Sequence, residues 1–508
     1  MKLVALWVED FMKIKNSGFN FGSKLIFNFD FDEEKRNLII SAQPTSDYFD
    51  LFYGSGIKNI TGVIGTNGSG KTTLLKILNI LYAQKPLEHR IITIFEDEKT
   101  SKFEIYDYKA ADSLFGNRNK INISLQENGS FSNTMQKSGH IIIKTNKPPF
   151  VNTDLIFYSN LYSDQNDNYL QTDNPLNRSV DYQTIKSLTP NKLREYLRVY
   201  NLKKERRTFF IEESYNPLSI YHYDKLKRLV TFLADADPEL ALFFQEDIPF
   251  PDSITIWPNE SIPENTFKVS AESLVDFEKI HPLYEYCVAN NYREEEPKQQ
   301  LKNVIIFTFF FFSFYNDFFK KSEKNGTLED IQKFINEQPL DSTVYENIKK
   351  FILSQESGRK NSEINKVKNI LSKLDSLLKN IVVTASTSTF GKGSYDLAIN
   401  KSLWRFLSNV LSITDHNEEA AIMLNLNPFS AGEGAILAQF SEFFQAIKHI
   451  NKKDILVTID EGELYMHPEW QRKYVNVIFN FFDFFAKKKD INFQIIITSH
   501  SPFLVSDI

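Results

Sequence analysis

The chain has 508 residues, of which 42% are hydrophobic and 24% charged, with a net charge of −6. This is ordinary for a soluble globular protein of two or three domains, and no global basic surface advertises nucleic acid. The single cysteine, Cys287, excludes internal disulfides and a cysteine zinc cluster, and the eight histidines show no ligand spacing.

In chain order, the apolar start Leu3–Val8 is interrupted by Glu9 and Asp10 before a signal-peptide core develops, so it reads as a first strand. Residues 1–60 alternate short apolar stretches (Leu3–Val8, Leu25–Phe31, Leu38–Ile40) with turns, which predicts an antiparallel β-layer. Next comes Gly65-Thr66-Asn67-Gly68-Ser69-Gly70-Lys71-Thr72-Thr73, between the apolar Ile60, Val63, Ile64 and the run Leu74–Leu78. Strand, tight loop and helix are the context that a G-x-x-x-x-G-K-[ST] phosphate loop requires. The glycines let backbone N–H groups close around phosphate oxygens, and the helix start adds partial positive charge. Lys71 can then reach the β- and γ-phosphates of a nucleotide, and Thr72 can hold Mg²⁺.

A polar stretch with further strands runs to about residue 150, and Leu155–Asn160 reads as a buried strand. Residues 175–385 are expected to be mostly helical. Within them, Lys186–Arg207 carries eight basic residues against Glu195 and Glu205, with Tyr196 and Tyr200 interleaved. It either tracks a phosphate backbone or is a solvated helical face. The apolar run Val304–Tyr315 is too short for the roughly twenty residues of a spanning helix, so it is read as a buried helix or an interface, and no membrane is expected. Ile364, Val367, Ile370, Leu371, Leu374, Leu377, Leu378 and Ile381 recur at helical spacing, as a core helix or a short partner-binding arm would.

Three segments near the end carry chemistry. In Phe429-Ser430-Ala431-Gly432-Glu433, the spacing of Ser430 and Glu433 is that of a capping box. In Ile455–Glu461, four of the five residues before Asp460 are large and apolar, as in a strand buried on both faces. Adjacent carboxylates at such a strand end are costly to bury without a cation. Beside a phosphate loop, the expected occupants are a Mg²⁺-coordinating Asp460 and a Glu461 that polarises the attacking water. Ile495–Thr498 is a second buried-strand pattern and ends at Ser499-His500-Ser501. A histidine there can donate to a γ-phosphate or serve structure alone.

The order of these segments resembles that of the ABC-type ATPase superfamily over roughly residues 1–90 and 420–508. The resemblance implies an α/β fold: an ABC-type P-loop ATPase core, with a mixed sheet and a flanking antiparallel β-layer, carrying a large, mostly helical insertion. The expected boundaries are 1–170 and 386–508 for the core and 171–385 for the insertion. Gly65, Asn67, Gly68, Ser69, Gly70, Lys71, Thr72 and Thr73 would bind ATP, and Thr72 and Asp460 would hold Mg²⁺. Ser430 and Gly432 look like the family's signature motif, with Phe429 where leucine is usual, and His500 like its switch histidine. In such proteins the signature of one protomer closes on the nucleotide of the other, which implies a head-to-tail homodimer. Leu155–Asn160 resembles by position the strand before the family's Q-loop, without its glutamine.

Asp460-Glu461-Gly462-Glu463-Leu464-Tyr465-Met466-His467-Pro468 is similar to the "D-E-x-E-x-x-L-H-P" string of RecF-like and overcoming-lysogenisation-defect (OLD) ATPases, with Met466 for leucine. OLD nucleases continue into a metal-dependent nuclease domain where this chain stops, so the implied effector is a separate polypeptide. The leading expectation is therefore a cytoplasmic ATPase subunit of an anti-phage defence complex, acting with a separate nuclease or effector, as in Septu, PARIS or retron-associated operons. The alternatives are a RecF-like repair ATPase that binds or clamps DNA, and a non-catalytic nucleotide-gated scaffold. Glu461 argues against the scaffold, which needs no water-polarising base.

Overall fold

The computed structural model describes residues 1–46, 48–49, 52–54, 56–83, 90–100, 102–108, 122–127, 130–131, 141–144, 149–160, 176, 178, 217–235, 253–258, 296–309, 333, 337, 344–354, 363–379, 381–386, 394–413, 422–427, 431–464 and 466–501. They belong to two compact units, Met1–Gln183 with Glu442–Ile508, and Thr184–Ser441. The basic segment Lys186–Arg207, the cysteine and Ser430 lie outside the described residues.

The first unit begins with β1 (Lys2–Phe11), β2 (Ile14–Asn20), β3 (Leu25–Asp32), β4 (Asn37–Pro44) and β5 (Ile57–Ile64). Helix α1 (Lys71–Tyr82) follows, then β6 (Ile91–Asp97), β7 (Lys102–Tyr108), β8 (Asn122–Glu127), β9 (Ser130–Phe131), β10 (Ile141–Lys144) and β11 (Thr153–Ser159). The second unit contains α2 (Pro217–Asp235), β12 (Ser253–Pro258), α3 (Pro297–Phe309), α4 (Val344–Ser354), α5 (Glu363–Lys379), β13 (Val383–Ala385), β14 (Tyr395–Ala398), α6 (Lys401–Ile413) and β15 (Ile422–Asn427). Helix α7 (Ala431–Lys448) continues from it into the first unit, which ends with β16 (Asp454–Asp460), α8 (Pro468–Lys489) and β17 (Asn492–Ser499).

The centre of the first unit is a four-stranded sheet in the order β11-β16-β17-β5, every pair parallel. β11, β16 and β17 are mostly apolar and buried because both faces are covered, whereas the edge strand β5 buries only Ile57 and Ile60. On one face, Leu74, Leu75 and Leu78 of α1 pack with Leu155, Phe157, Leu456 and Ile496. On the other, Phe493 meets Phe482 of α8 with ring centroids 4.9 Å apart, and Phe482 meets Phe443 of α7 at 5.2 Å. Each such ring pair adds about 0.5–1.5 kcal/mol beyond its buried area. The central sheet is thus wholly parallel among the described residues, while the parallel pairs β10–β7 and β4–β8 make the two sheets beside it mixed.

Beside it lie the sheets β10-β7-β6-β1-β2, antiparallel except for β10–β7, and β3-β4-β8-β9. β1 turns Leu3, Leu6 and Val8 toward α1, while Val4, Ala5 and Trp7 pack between these two sheets with Phe27, Ile40 and Phe103. The break in alternation at Val4 and Ala5 coincides with a register shift between Leu3 and Ala5, as a bulge requires.

The second unit is not helical throughout. β12 lies between β14 and β15 in a four-stranded antiparallel sheet completed by β13. α5 buries Ile370, Leu371, Leu374 and Leu378. Its Asp375 pairs with Lys302 of α3 and Lys349 of α4, so this amphipathic helix is packed into its unit. The run Val304–Tyr315 is helical to Phe309, and the rest lies outside the described residues. Among the described residues, no helix is long and apolar enough to cross a membrane.

Candidate nucleotide-binding site

The parallel register sets the site. Ser159 stands beside Asp460, Asp460 beside Thr498, and Ser499 beside Ile64, so four strands end along one edge. The next residues on each strand are Asn160, Glu461, His500 and Gly65. Ligands of parallel α/β sheets bind outside this carboxyl edge.

The loop from Gly65 to Gly70 joins β5 to α1. Gly68 and Gly70 have φ of 78° and 95°, in the left-handed region where a side chain would be strained. A Cβ on Gly70 would also lie 3.2 Å from Ile14. Gly70 caps α1 without a side-chain hydrogen bond, so the helix start presents N–H groups to an anion. Lys13, in the β1–β2 turn, brings its ammonium to 3.5 Å from where a Cβ on Gly68 would stand. It adds positive charge on that side of the loop, and the sequence reading assigned it nothing.

Lys71 is buried, and the three N–H groups of its ammonium face three partners: the Gly65 carbonyl at 2.8 Å, the Thr66 carbonyl at 3.0 Å and His500 Nδ1 at 3.1 Å. His500 Nε2 stands 2.5 Å from Glu461 Oε1. In this arrangement Nε2 faces Glu461 as a donor and Nδ1 faces the Lys71 ammonium as an acceptor. Phosphate loop, strand-end glutamate and histidine thus form one connected set. Glu461 itself has φ 50°, unusual for a residue with a side chain, and is held there by its N–H donating to the Thr498 carbonyl at 3.0 Å.

Asp460 is 1% exposed. The Thr72 hydroxyl donates to it at 3.0 Å, and the Thr498 hydroxyl donates to Oδ1. Burial pushes its carboxyl up from the ordinary aspartate value, against the hydroxyl bonds that lower it. A buried carboxylate held by two hydroxyls is the donor chemistry of a hard cation, and Mg²⁺ completes its shell with phosphate and water rather than an all-protein cage. The residues present fit Mg²⁺ and a triphosphate.

Two residues here, Glu463 and Asn160, had no role assigned from the sequence. Glu463, 3% exposed, accepts a hydrogen bond from the Ser499 hydroxyl. Asn160 donates to the Gly462 carbonyl at 3.0 Å and accepts from the Tyr158 hydroxyl. His467 and Pro468 start α8: the His467 ring accepts from the Glu469 N–H, and Pro468 occupies the first turn. Gly432 lies in the first turn of α7, in the second unit.

Burial also pushes the Glu463 carboxyl above the ordinary glutamate value. The folded chain therefore keeps this proton to higher pH than the unfolded chain, and Glu463 contributes stability that is lost as pH rises through its folded pKa. Without Mg²⁺, Glu463→Gln should flatten the fall of denaturation midpoint as pH rises above the ordinary glutamate value. Equal slopes for variant and wild type would contradict this account of the carboxyl.

A family profile described as an AAA ATPase domain matches residues 55–505, from before the phosphate loop to beyond His500. The comparison with curated proteins finds no match. The chain belongs to the AAA ATPase domain family.

Proposed function

We propose that the chain binds and hydrolyses ATP with Mg²⁺ as an ABC-type, RecF/OLD-like ATPase. The observation that carries this reading is the convergence of Lys71, Thr72, Asp460, Glu461 and His500 on one edge of one parallel sheet. On ATP binding, Lys71 turns its ammonium from the Gly65 and Thr66 carbonyls to the β- and γ-phosphates, while the loop N–H groups hold the phosphate oxygens. Thr72 and Asp460 would hold Mg²⁺, which would supply positive charge against that growing on the phosphate oxygens. Glu461, at the strand end, orients the attacking water, and His500, once nucleotide binding turns its Nε2–H away from Glu461, donates from Nε2 toward the γ-phosphate. Asn160, locked to the Gly462 carbonyl, keeps the loop after Glu461 in place.

The site is completed by the signature residues Ser430 and Gly432 of a second copy, in a head-to-tail homodimer that sandwiches two ATP molecules. The mixing test follows. Ser430→Arg should abolish hydrolysis while leaving ATP binding by the isolated protomer nearly intact. Mixed with Lys71→Ala protein, it should regain activity up to about half that of wild type, because one composite site per mixed dimer escapes both lesions. No recovery at any ratio, with mixed dimers verified by mass, would mean that the site is completed within one chain.

The wider role we propose is the cytoplasmic ATPase and sensor subunit of an anti-phage defence complex with a separate nuclease or effector. It is supported by the similarity of Asp460–Pro468 to the OLD string. Co-purification of a neighbouring-gene nuclease with the chain tests it; neighbouring replication genes and ATP-dependent DNA retention would instead favour the repair reading.

A further inference from the structure

The ATPase reading leaves one buried carboxyl of the site without a role. Glu463 accepts from the Ser499 hydroxyl through Oε1, and its Oε2 has no hydrogen-bond partner among the described residues. Ser499 is 1% exposed, ends β17 and directly precedes His500. The same Ser499 oxygen accepts the Ser501 N–H at 2.8 Å, so the turn around His500 is pinned on both sides.

From there the bonds run on. The Ser501 hydroxyl donates to Gln471 Oε1 at 2.7 Å, and Gln471 Nε2 donates to the Met466 carbonyl at 3.0 Å. The Met466 N–H donates to the Glu463 carbonyl at 3.0 Å. Glu463, Ser499, Ser501, Gln471 and Met466 therefore close a ring of bonds through the two residues that flank His500. Satisfying a serine hydroxyl with a buried carboxyl costs desolvation that an apolar filler would avoid, so filling space does not account for a glutamate here.

We propose that Glu463 is a positioning residue of the ATPase site: by holding Ser499 it fixes the turn from which His500 reaches Glu461 and Lys71. This rests on the hydrolytic reading of the site given above. Glu463 acts through His500 and touches neither nucleotide nor water. Its loss should therefore appear in kcat and not in KM, because Lys71 and the loop N–H groups that bind phosphate are untouched.

Glu463→Leu removes the acceptor and should lower kcat for ATP about tenfold, with KM nearly unchanged. Glu463→Gln keeps a carbonyl oxygen for Ser499 and should recover most of the loss, to within about threefold of wild type. In a His500→Ala background, Glu463→Leu should cause little further loss, since both changes remove one interaction. Ser499→Ala deletes the same hydrogen bond by a single-atom change and should reproduce the pattern even if the leucine variant folds poorly. Wild-type kcat in Ser499→Ala, equal damage from glutamine and leucine, or losses that multiply with His500→Ala would each overturn the proposal. Wild-type turnover by Lys71→Ala would instead remove the site reading on which it stands.

Discussion

Lys71→Ala is expected to weaken ATP binding by about ten- to a hundredfold, the worth of one or two charge-assisted hydrogen bonds to phosphate. The ammonium is buried at the start of α1, and its present acceptors, two loop carbonyls and an imidazole nitrogen, carry no negative charge. A triphosphate offers anionic oxygens in their place, so the exchange favours the nucleotide. Alanine leaves the glycine loop and the helix start intact, and residual binding through backbone N–H groups should remain. Titration with a fluorescent ATP analogue measures the loss; affinity equal to wild type would show that the phosphates lie elsewhere.

Glu461→Gln should retain ATP and lower kcat by about 10²–10⁴-fold, the usual contribution of a positioned acid–base group. The amide keeps the length of the side chain and can still accept from His500 Nε2, so the geometry at the strand end survives. What is lost is the charge that orients the water. Because ATP then persists, an ATP-bound dimer should accumulate in Mg²⁺ and be visible by light scattering. Turnover at the wild-type rate would assign the base to another residue.

What the sequence showed, and what it hid, follows the range of the interactions. The phosphate-loop path was legible because glycines at 65, 68 and 70 sit between an apolar strand and an apolar helix, all within twenty residues. β16 and β17 were legible because burial on both faces leaves mostly apolar runs, Ile455–Ile459 broken only by Thr458, and Ile495–Ile497. β12 was not: the expected helical stretch hides a six-residue strand whose partners, β14 and β15, are more than a hundred residues away. Such pairing overrides local propensity and leaves no local mark. The roles of Glu463 and Asn160 were hidden for the same reason, since each is defined by a bond to a distant segment or to a backbone carbonyl. His467 and Pro468 entered as part of a family string, and the structure gives them a local cause, the N-terminal cap of α8.

The central claim is that the convergent strand-end site hydrolyses ATP. Steady-state phosphate release by the purified full chain, measured with Mg²⁺ and with EDTA beside the Glu461→Gln variant, tests it most directly. The account predicts slow release from ATP that requires Mg²⁺, rises per chain with protein concentration and vanishes in the variant. Release that persists undiminished in Glu461→Gln, or no Mg²⁺-dependent release at any protein concentration, would contradict it.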